Sequence, residues 1–399
     1  MKRQQPYDLE RQFPRPPLLL TGLTTGAFLV VVSCSGSAPP PPEPQLPEPE
    51  QVVTAVIEPV LVTDPVAVDS DDPAIWINPT DPLQSLVIGT DKGGSLYVFN
   101  LDGAAIPEKT FDTGGRMNNV DVEYGLPLGE ESIDIAVATD RPVSLLRVLR
   151  LPEMTPVDNG GIPVFEGEEG DSHLPMGIAL YKRPSDGAVF AIVSRKTGPS
   201  GAYLWQYRLA DDGNGHVTGT KVREFGTFSD ATSIDEEGVA ELGEIESVAV
   251  DDALGYVYYS DELTGIRKYH ADPDAPDADV ELALFGTDGF ADQREGISIY
   301  TIDDGTGYIL VSDQQGNAFR IFKREGEPGD PHDHRLVKIV KVSTNESDGS
   351  EVTSVALGER FPSGLFVAMS DNKTFQYYSW DDIEGDDLVK APNGAVPAE

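Results

Sequence analysis

The chain has 399 residues, and its 68 acidic residues outnumber its 29 basic residues, which gives a net charge of −39 at pH 7. Binding to nucleic acid or to an anionic membrane surface draws on lysine and arginine, so this balance argues against both as partners. Cys34 is the only cysteine, so the chain has no internal disulfide and no cysteine nucleophile in its folded part.

Residues 1–33 have the pattern of an export signal peptide. An apolar run over residues 18–32, too short to span a bilayer comfortably, follows four bases: Lys2, Arg3, Arg11 and Arg15. The ending Val31-Val32-Ser33-Cys34 resembles a bacterial lipoprotein signal, so we expect Cys34 to be acylated; the alternative is an incidental small residue. Residues 34–51 predict a proline-rich, extended linker. We expect a folded domain over residues 52–389, a tail over 390–399, and a location in the cell envelope or outside the cell.

An apolar run that ends in serine or threonine occurs six times along the folded part. In five copies an aspartate follows the hydroxyl residue, and a further strand with aromatic or apolar alternation comes after each copy. By subtraction the copies are about 50 to 65 residues apart, a spacing of the kind seen in blade repeats. The hydroxyl residues are Thr90, Thr139, Ser194, Ser260, Ser312 and Ser370.

Another strand begins about 14 to 19 residues before each hydroxyl residue. The third copy of this strand opens on Met176-Gly177. The other five open on or beside an acid: Asp72, Asp121, Glu246, Glu295 and Glu351. Three or four antiparallel strands that recur six times, with no long helical pattern between copies, predict an all-β fold, a six-bladed β-propeller around a central channel.

Propeller blades superpose, so residues at one repeat position form a ring at one end of the channel. The residue two places after the hydroxyl residue is a base in three consecutive copies, and these bases form a basic arc: Lys92, Arg141 and Lys196. The same position holds Glu262, Gln314 and Asn372 in the other copies. The start of the first strand contributes a ring of oxygen donors: Asp71, Asp72, Asn118, Asn119, Asp121, Glu246, Glu295, Asp348 and Glu351.

Carboxylate and amide oxygens that converge without histidine or cysteine select hard cations, and a loop-built site with many carboxylates favours Ca²⁺ over Mg²⁺. The alternative is that each acid caps the start of a strand and satisfies turn amides. Because the same chemistry recurs in five of the six repeats beside the basic arc, we interpret the ring as a metal site.

Several segments along the folded part carry a family likeness. In order, they are DSDDPAIW with INPTDPLQS, GTDKGGSLYVFNLDG, GGRMNNVDVEYGL, ESVAVDDALGYVYYSDE, EGISIYTIDDGTGYILVSDQQGN and DGSEVTSVALGERFPSGLFVAMSDN. Together, from about residue 52 to residue 380, the chain resembles the β-propeller phytases, the calcium-dependent alkaline class of 3-phytase. The resemblance implies a six-bladed propeller that binds several Ca²⁺ ions and hydrolyses phosphomonoesters of phytate (myo-inositol hexakisphosphate) or of calcium phytate.

Matched motif by motif, the resemblance implies two sets of functional residues. The catalytic and substrate-binding set is Lys92, Arg141 and Lys196, with Glu246 in catalysis and with Asn118 and Asn119 along the same rim. The calcium ligands are Asp71, Asp72, Asp121, Glu246, Glu262, Glu295 and Asp348. The chain departs from the family where a tyrosine and two acids are common; it has Met176, Thr197 and Gln293 there.

Phosphate monoester hydrolysis needs charge neutralisation and a nucleophilic water, and two close metal ions supply both. Two rival hypotheses are a non-catalytic calcium-binding propeller at the cell surface and a calcium-dependent lactonase-type propeller. The basic arc favours an enzyme that binds phosphate groups over either of these hypotheses. His332 and His334, in Pro-His-Asp-His, offer a transition-metal alternative, but we interpret them as an incidental pair in an exposed loop. We expect a monomer.

Overall fold

The computed structural model describes residues 55–234 and 240–392. Within these ranges the chain forms six antiparallel sheets and a separate two-stranded hairpin, which confirms the predicted six-bladed β-propeller. The predicted signal peptide, Cys34 and the linker lie outside the described residues, as does the end of the tail. Over the same ranges, no helix is long and apolar enough to cross a bilayer.

A short strand, β1 (Leu61–Val62), precedes the first blade. Blade 1 then contains β2 (Ser70–Trp76), β3 (Leu86–Asp91), β4 (Ser95–Phe99) and β5 (Phe111–Asp112). Blade 2 contains β6 (Met117–Leu128), β7 (Glu131–Asp140), β8 (Leu145–Leu151), β9 (Thr155–Pro156) and β10 (Ile162–Pro163). Blade 3 contains β11 (Pro175–Lys182), β12 (Val189–Arg195), β13 (Leu204–Asp211) and β14 (Val217–Phe225).

The separate hairpin, β15 (Thr232–Ile234) and β16 (Ala240–Leu242), follows blade 3. Blade 4 contains β17 (Val248–Asp251), β18 (Tyr256–Asp261), β19 (Gly265–His270) and β20 (Ala283–Phe285). Blade 5 contains β21 (Arg294–Thr301), β22 (Gly307–Asp313), β23 (Ala318–Lys323) and β24 (Leu336–Lys341). Blade 6 contains β25 (Ser350–Thr353), β26 (Leu365–Ser370) and β27 (Thr374–Ser379).

The helical segments within the described residues are short. One α-helix, α1 (Trp380–Glu384), follows β27. The 3₁₀ turns are Pro82–Gln84, Pro107–Lys109, Arg141–Val143, Gly170–His173 and Gln314–Gly316. One of these turns begins at a residue of the basic arc, Arg141.

Each sheet buries both of its faces against neighbouring blades. In β3, Val87 packs in the apolar cluster between blades 1 and 6, whereas the next residue, Ile88, packs in the cluster between blades 1 and 2. The described chain has six such clusters, one for each pair of neighbouring blades. Successive side chains of a strand point to opposite faces, so a strand buried on both sides needs a continuous apolar run. This explains why the second strand of every repeat is an apolar run.

The two ends of the domain close the ring. β1 joins blade 6 as its outermost strand, with Leu61 opposite Tyr377 and Val62 opposite Gln376. The innermost strand of that blade, β25, contacts β2, the innermost strand of blade 1. The sequence did not predict β1, because a strand of two residues carries no periodic signal.

The repeated hydroxyl residues hold the ends of the second strands against the innermost strands. Thr90 Oγ1 accepts a hydrogen bond from the N–H of Asp72 at 2.8 Å, and Thr139 Oγ1 accepts one from the N–H of Asn119 at 3.1 Å. Thr139 also donates to the carbonyl of Met176 in the next blade at 2.8 Å. A hydroxyl both accepts and donates, so it can join two backbone segments here.

A buried ion pair links blades 4 and 5. The Nε and Nη2 atoms of Arg324 donate to the two carboxylate oxygens of Asp251 at 2.6 and 2.7 Å. Both side chains are 1% exposed. Arg324 Nη1 also donates to the carbonyls of Asp303 and Thr306, at 2.7 and 3.1 Å. The guanidinium therefore neutralises a buried carboxylate and satisfies two loop carbonyls as well.

Replacing Arg324 by methionine should destabilise the propeller by about 3–5 kcal/mol, because Asp251 would remain buried without its counter-charge. Urea unfolding of Arg324→Met measures this loss. Arg335→Met is the control, since the side chain of Arg335 is 65% exposed. It should change the unfolding free energy by less than about 0.5 kcal/mol. Equal losses in the two variants would contradict the assigned role of the buried pair.

Candidate active site at the channel mouth

The strand register places the two predicted rings at the same end of the channel. In blade 1, Ser70 at the start of the innermost strand lies opposite Asp91 at the end of the second strand. Met117 lies opposite Asp140 in blade 2, and Arg294 lies opposite Asp313 in blade 5. The residues that precede or open each innermost strand therefore lie beside the residues that follow the second strand.

Three glutamates from two neighbouring blades form a carboxylate cluster at this mouth: Glu246, Glu262 and Glu295. One oxygen of each lies within 4.8 Å of the others. Glu246 comes shortly before β17, Glu262 directly follows β18, and Glu295 is the second residue of β21. Glu262 and Glu295 are each 3% exposed, and Glu295 Oε2 is a buried oxygen without a hydrogen-bond partner. Burial, and then the charges of the other cluster members, raises the pKa values of Glu262 and Glu295 well above their ordinary range.

Lys92 lies among three aspartates of the same mouth. Its Nζ atom is 3.0 Å from Asp348 Oδ2, 3.4 Å from Asp69 Oδ2 and 3.7 Å from Asp71 Oδ1. Burial raises the pKa of Asp71 despite the charge of Lys92, and the other oxygen of Asp71 is buried without a partner. Burial likewise raises the pKa of Asp348 to about 6.

The other two bases of the arc have different partners. Arg141 Nη1 donates to Asn118 Oδ1 at 3.1 Å, and Asn118 Nδ2 donates to Glu246 Oε1 at 2.6 Å. The ammonium group of Lys196 contacts the carboxylate of Glu244. Glu244 was not among the site residues predicted from the sequence. A usable signal was its position two residues before Glu246, since alternate residues of an extended segment point the same way.

The remaining predicted metal ligands lie along the channel. Asp72, Asn119 and Asp121 line a cavity of about 120 Å³ to which all six innermost strands contribute, and Glu351 lines it as well. Asp72 Oδ2 accepts a hydrogen bond from the N–H of Val120 at 3.1 Å. The structure thus divides the predicted ligands into a mouth set of Asp71, Glu246, Glu262, Glu295 and Asp348 and a channel pair of Asp72 and Asp121.

Asp121 is held in the channel by two backbone amides. Its carboxylate oxygens accept from the N–H groups of Leu180 and Val122, both at 2.6 Å. Burial raises the pKa of Asp121 to about 6, although both hydrogen bonds lower it. At the opposite end of the innermost strands from the mouth, Asp252 directly follows β17 and accepts a hydrogen bond from the N–H of Lys182 at 3.0 Å. Burial raises its pKa to about 7. The channel therefore holds acids that bind protons more tightly than ordinary carboxylates do.

The three departures from the family pattern have structural partners. Met176 is buried, and its carbonyl accepts from Thr139 at 2.8 Å. Thr197 Oγ1 lies 3.3 Å from Ser172 Oγ. Gln293 Oε1 accepts from Gln315 Nε2 at 2.7 Å. Polar contacts within the protein thus replace the charges expected at the last two positions.

One member of the histidine pair, His334, is not exposed as the sequence suggested, whereas His332 is half-buried. His334 is only 5% exposed. Its Nδ1 atom lies 2.7 Å from the carbonyl of Lys323, and its Nε2 atom lies 3.1 Å from Lys268 Nζ. Burial lowers the pKa of His334 to about 4. Both ring nitrogens already contact the protein, so His334 is a buried structural residue.

The oxygen donors at the mouth fit a hard divalent cation. The mouth set offers carboxylates alone, and two of its buried oxygens, on Asp71 and Glu295, have no hydrogen-bond partner. Such oxygens are costly to bury unless a cation or a proton satisfies them. Hard cations such as Ca²⁺ select oxygen donors of this kind.

Comparisons with known proteins agree with this arrangement. A family model described as Phytase matches residues 23–386. A 3-phytase of Bacillus subtilis (strain 168) is 30% identical to this chain over 348 residues, which cover 80% of this chain and 82% of that protein. The family match includes all six blades, the carboxylate cluster and the basic arc.

In the presence of a chelator, raising the pH from about 4 to about 7 should lower the free energy of unfolding of the protein. The pKa values of Asp121 and Asp348 are raised to about 6 and that of Asp252 to about 7. In this window the folded state therefore binds more protons than the unfolded state, and its stability falls as the pH rises. Urea unfolding across this range, in EDTA and in calcium, measures the effect.

Calcium should raise the unfolding free energy most at the upper end of this pH window, since it would replace the lost protons. Glu295→Gln should reduce that gain, whereas Glu359→Gln, at an exposed acid, should leave it unchanged. A chelated protein that becomes steadily more stable from pH 4 to 7 would show that these buried acids do not bind protons more tightly in the folded state than in the unfolded state.

Proposed function

The chain belongs to the phytase family and is a phosphoric monoester hydrolase, and we propose that it hydrolyses phytate at this mouth with calcium as its cofactor. The observation that carries the proposal is the position of the basic arc beside the carboxylate cluster. Arg141 is joined to Glu246 through Asn118, and Lys92 lies among Asp71 and Asp348. Groups suited to binding a cation and groups suited to binding phosphate thus lie together at the mouth, which supports the proposal.

The cation would be held by Glu246, Glu262 and Glu295, with Asp71 and Asp348 beside them. The unpartnered oxygens of Asp71 and Glu295 support this assignment. When bound, calcium would supply positive charge for the phosphate oxygens and promote attack by water on phosphorus.

The three bases have separate tasks because their partners differ. Lys92 balances the negative charge of three aspartates, so it would hold Asp71 and Asp348 in place as well as attract phosphate. Arg141 contacts the neutral amide of Asn118, and its guanidinium can form two parallel bonds to phosphate oxygens. We propose that, of the three bases, Arg141 binds the substrate phosphate most strongly.

Glu246 connects the two halves of the site. It is a member of the carboxylate cluster, and it accepts the hydrogen bond from Asn118 that orients Arg141. Asn118 also donates to Asn119 Oδ1 at 2.9 Å, which fixes its amide group. Loss of Glu246 would therefore affect both cation binding and the orientation of the arginine.

Phytate suits this arrangement because it carries several phosphates around one ring. One phosphate can lie at the carboxylate cluster while a neighbouring phosphate is held by bases of other blades. The non-catalytic propeller and the lactonase-type propeller have no need of the basic arc, and membership of the phytase family favours the hydrolase over both.

The signal pattern supports a further proposal, that Cys34 is acylated and anchors the protein at the cell envelope. Cells labelled with a clickable fatty acid should give labelled wild-type protein and unlabelled Cys34→Ala. The variant should be released in soluble form with unchanged turnover per molecule, because a proline-rich linker separates Cys34 from the propeller. Unlabelled wild-type protein, cleaved elsewhere and free in the medium, would refute the anchor.

Purified protein should release inorganic phosphate from phytate in calcium, and excess EDTA should abolish the release. Arg141→Ala and Lys196→Ala should each lower kcat/KM about tenfold to a hundredfold, because each removes a charge-assisted phosphate contact of roughly 1.5–3 kcal/mol. Both variants should bind calcium and unfold like the parent, since these side chains do not form part of the interblade cores.

Glu246→Ala should instead lose calcium affinity together with activity. Arg335→Ala, which removes an exposed base far along the sequence from the arc, serves as the control for net charge. Full activity in EDTA would end the calcium proposal. Unimpaired hydrolysis by Lys92→Ala, Arg141→Ala and Lys196→Ala alike would show that the basic arc does not bind substrate.

A further inference from the structure

Glu244 is an acid of the mouth that belongs to neither predicted ring. Its carboxylate contacts the ammonium group of Lys196. Its backbone N–H donates to Glu262 Oε2 at 2.7 Å, so the segment that carries it is fixed to the carboxylate cluster. The backbone of Glu244 therefore has a structural partner that does not depend on its side chain.

The ion pair between Glu244 and Lys196 is accessible from the mouth. The side chain of Lys196 is 31% exposed and that of Glu244 is 23% exposed. Burial raises the pKa of Glu244, while Lys196 lowers it and Glu246 raises it further. Glu244 thus lies within electrostatic reach of both the basic arc and the carboxylate cluster.

The three bases differ in how much of their charge is already balanced. Lys92 has three carboxylates within 4.0 Å, and its side chain is 18% exposed. Arg141 donates to an amide oxygen. Lys196 contacts one carboxylate at a partly exposed position, where an incoming phosphate could displace it. The availability of Lys196 to phosphate is therefore set by Glu244.

We propose that Glu244 is a positioning residue that competes with phosphate for Lys196 and so weakens the grip of the mouth on substrate and product. The inference rests on the proposed function, because it assumes that Lys196 receives a phosphate group. A site built only for tight binding would hold its product, inorganic phosphate, as well as its substrate. The carboxylate of Glu244 can pair with Lys196 again as phosphate leaves, and this favours release of the product.

Glu244→Gln tests this directly, because glutamine keeps the shape and the backbone N–H while it removes the charge. Titration calorimetry of the calcium-loaded protein with inorganic phosphate should show a Kd lowered about threefold to tenfold, as expected for loss of a competing, partly exposed ion pair. The KM for phytate should fall by a similar factor, and kcat should not rise.

Two controls separate competition from general effects. Glu327→Gln removes an acid with 20% side-chain exposure that pairs with Lys323 at 3.0 Å, so it matches the change in charge and exposure. It should leave the phosphate Kd unchanged. In a Lys196→Ala background, Glu244→Gln should no longer tighten phosphate binding, because the base for which it competes is absent.

An unchanged or weakened phosphate Kd in Glu244→Gln would overturn the inference. A loss of calcium affinity in this variant would also overturn it, since Glu244 would then be a cation ligand. Failure of the parent to hydrolyse phytate would count against the proposed function alone, because the phosphate titration does not depend on turnover.

Discussion

Packing of every sheet against two neighbours is the constraint on which this structure depends. A strand such as β3 directs Val87 to one neighbour and Ile88 to the other, so no blade can bury its apolar surface by itself. The ring must therefore be complete, and the pairing of β1 with β27 completes it. Because the core is divided among six interfaces, the axis is left to the backbone and polar side chains of the innermost strands.

The charged mouth follows from that division. Residues that precede the innermost strands and follow the second strands lie outside the interblade cores, so they are free to be polar. The register brings them together, which concentrates Glu246, Glu262 and Glu295 in one place. Their mutual repulsion opposes folding, and the hydrophobic energy of the six interfaces has to outweigh it. A cation bound at the mouth would relieve this repulsion, so the fold favours cation binding there.

The sequence predicted most of the fold because its signals are local and repeated. The apolar runs and the hydroxyl residues recur once in every blade, and a base follows at the same repeat position in three of them. The symmetry of the propeller converts a repeat position into a position in space. β1 escaped prediction because two residues have no period. The sequence also did not predict that Asp72 and Asp121 lie in the channel, apart from the mouth set. Adjacent acids such as Asp71 and Asp72 point in different directions, and the register of all six strands decides what each of them faces.

Glu244 was missed because its role depends on Lys196, which belongs to another blade. His334 was misjudged because its loop folds back onto Lys268, a contact between blades with no local signature.

The joining of β1 to β27 orders events during biosynthesis. Among the described residues, the first strand of the chain pairs with the last strand, so the ring stays open until blade 6 has been synthesised. Until then, blade 1 presents the face that carries Val87 and Phe99 without its partner blade. A nascent or truncated chain would carry that apolar surface into the surrounding solvent, where it would be a target for chaperones and proteases. Completion of the last blade buries this apolar surface, and the enzyme becomes stable only at that point.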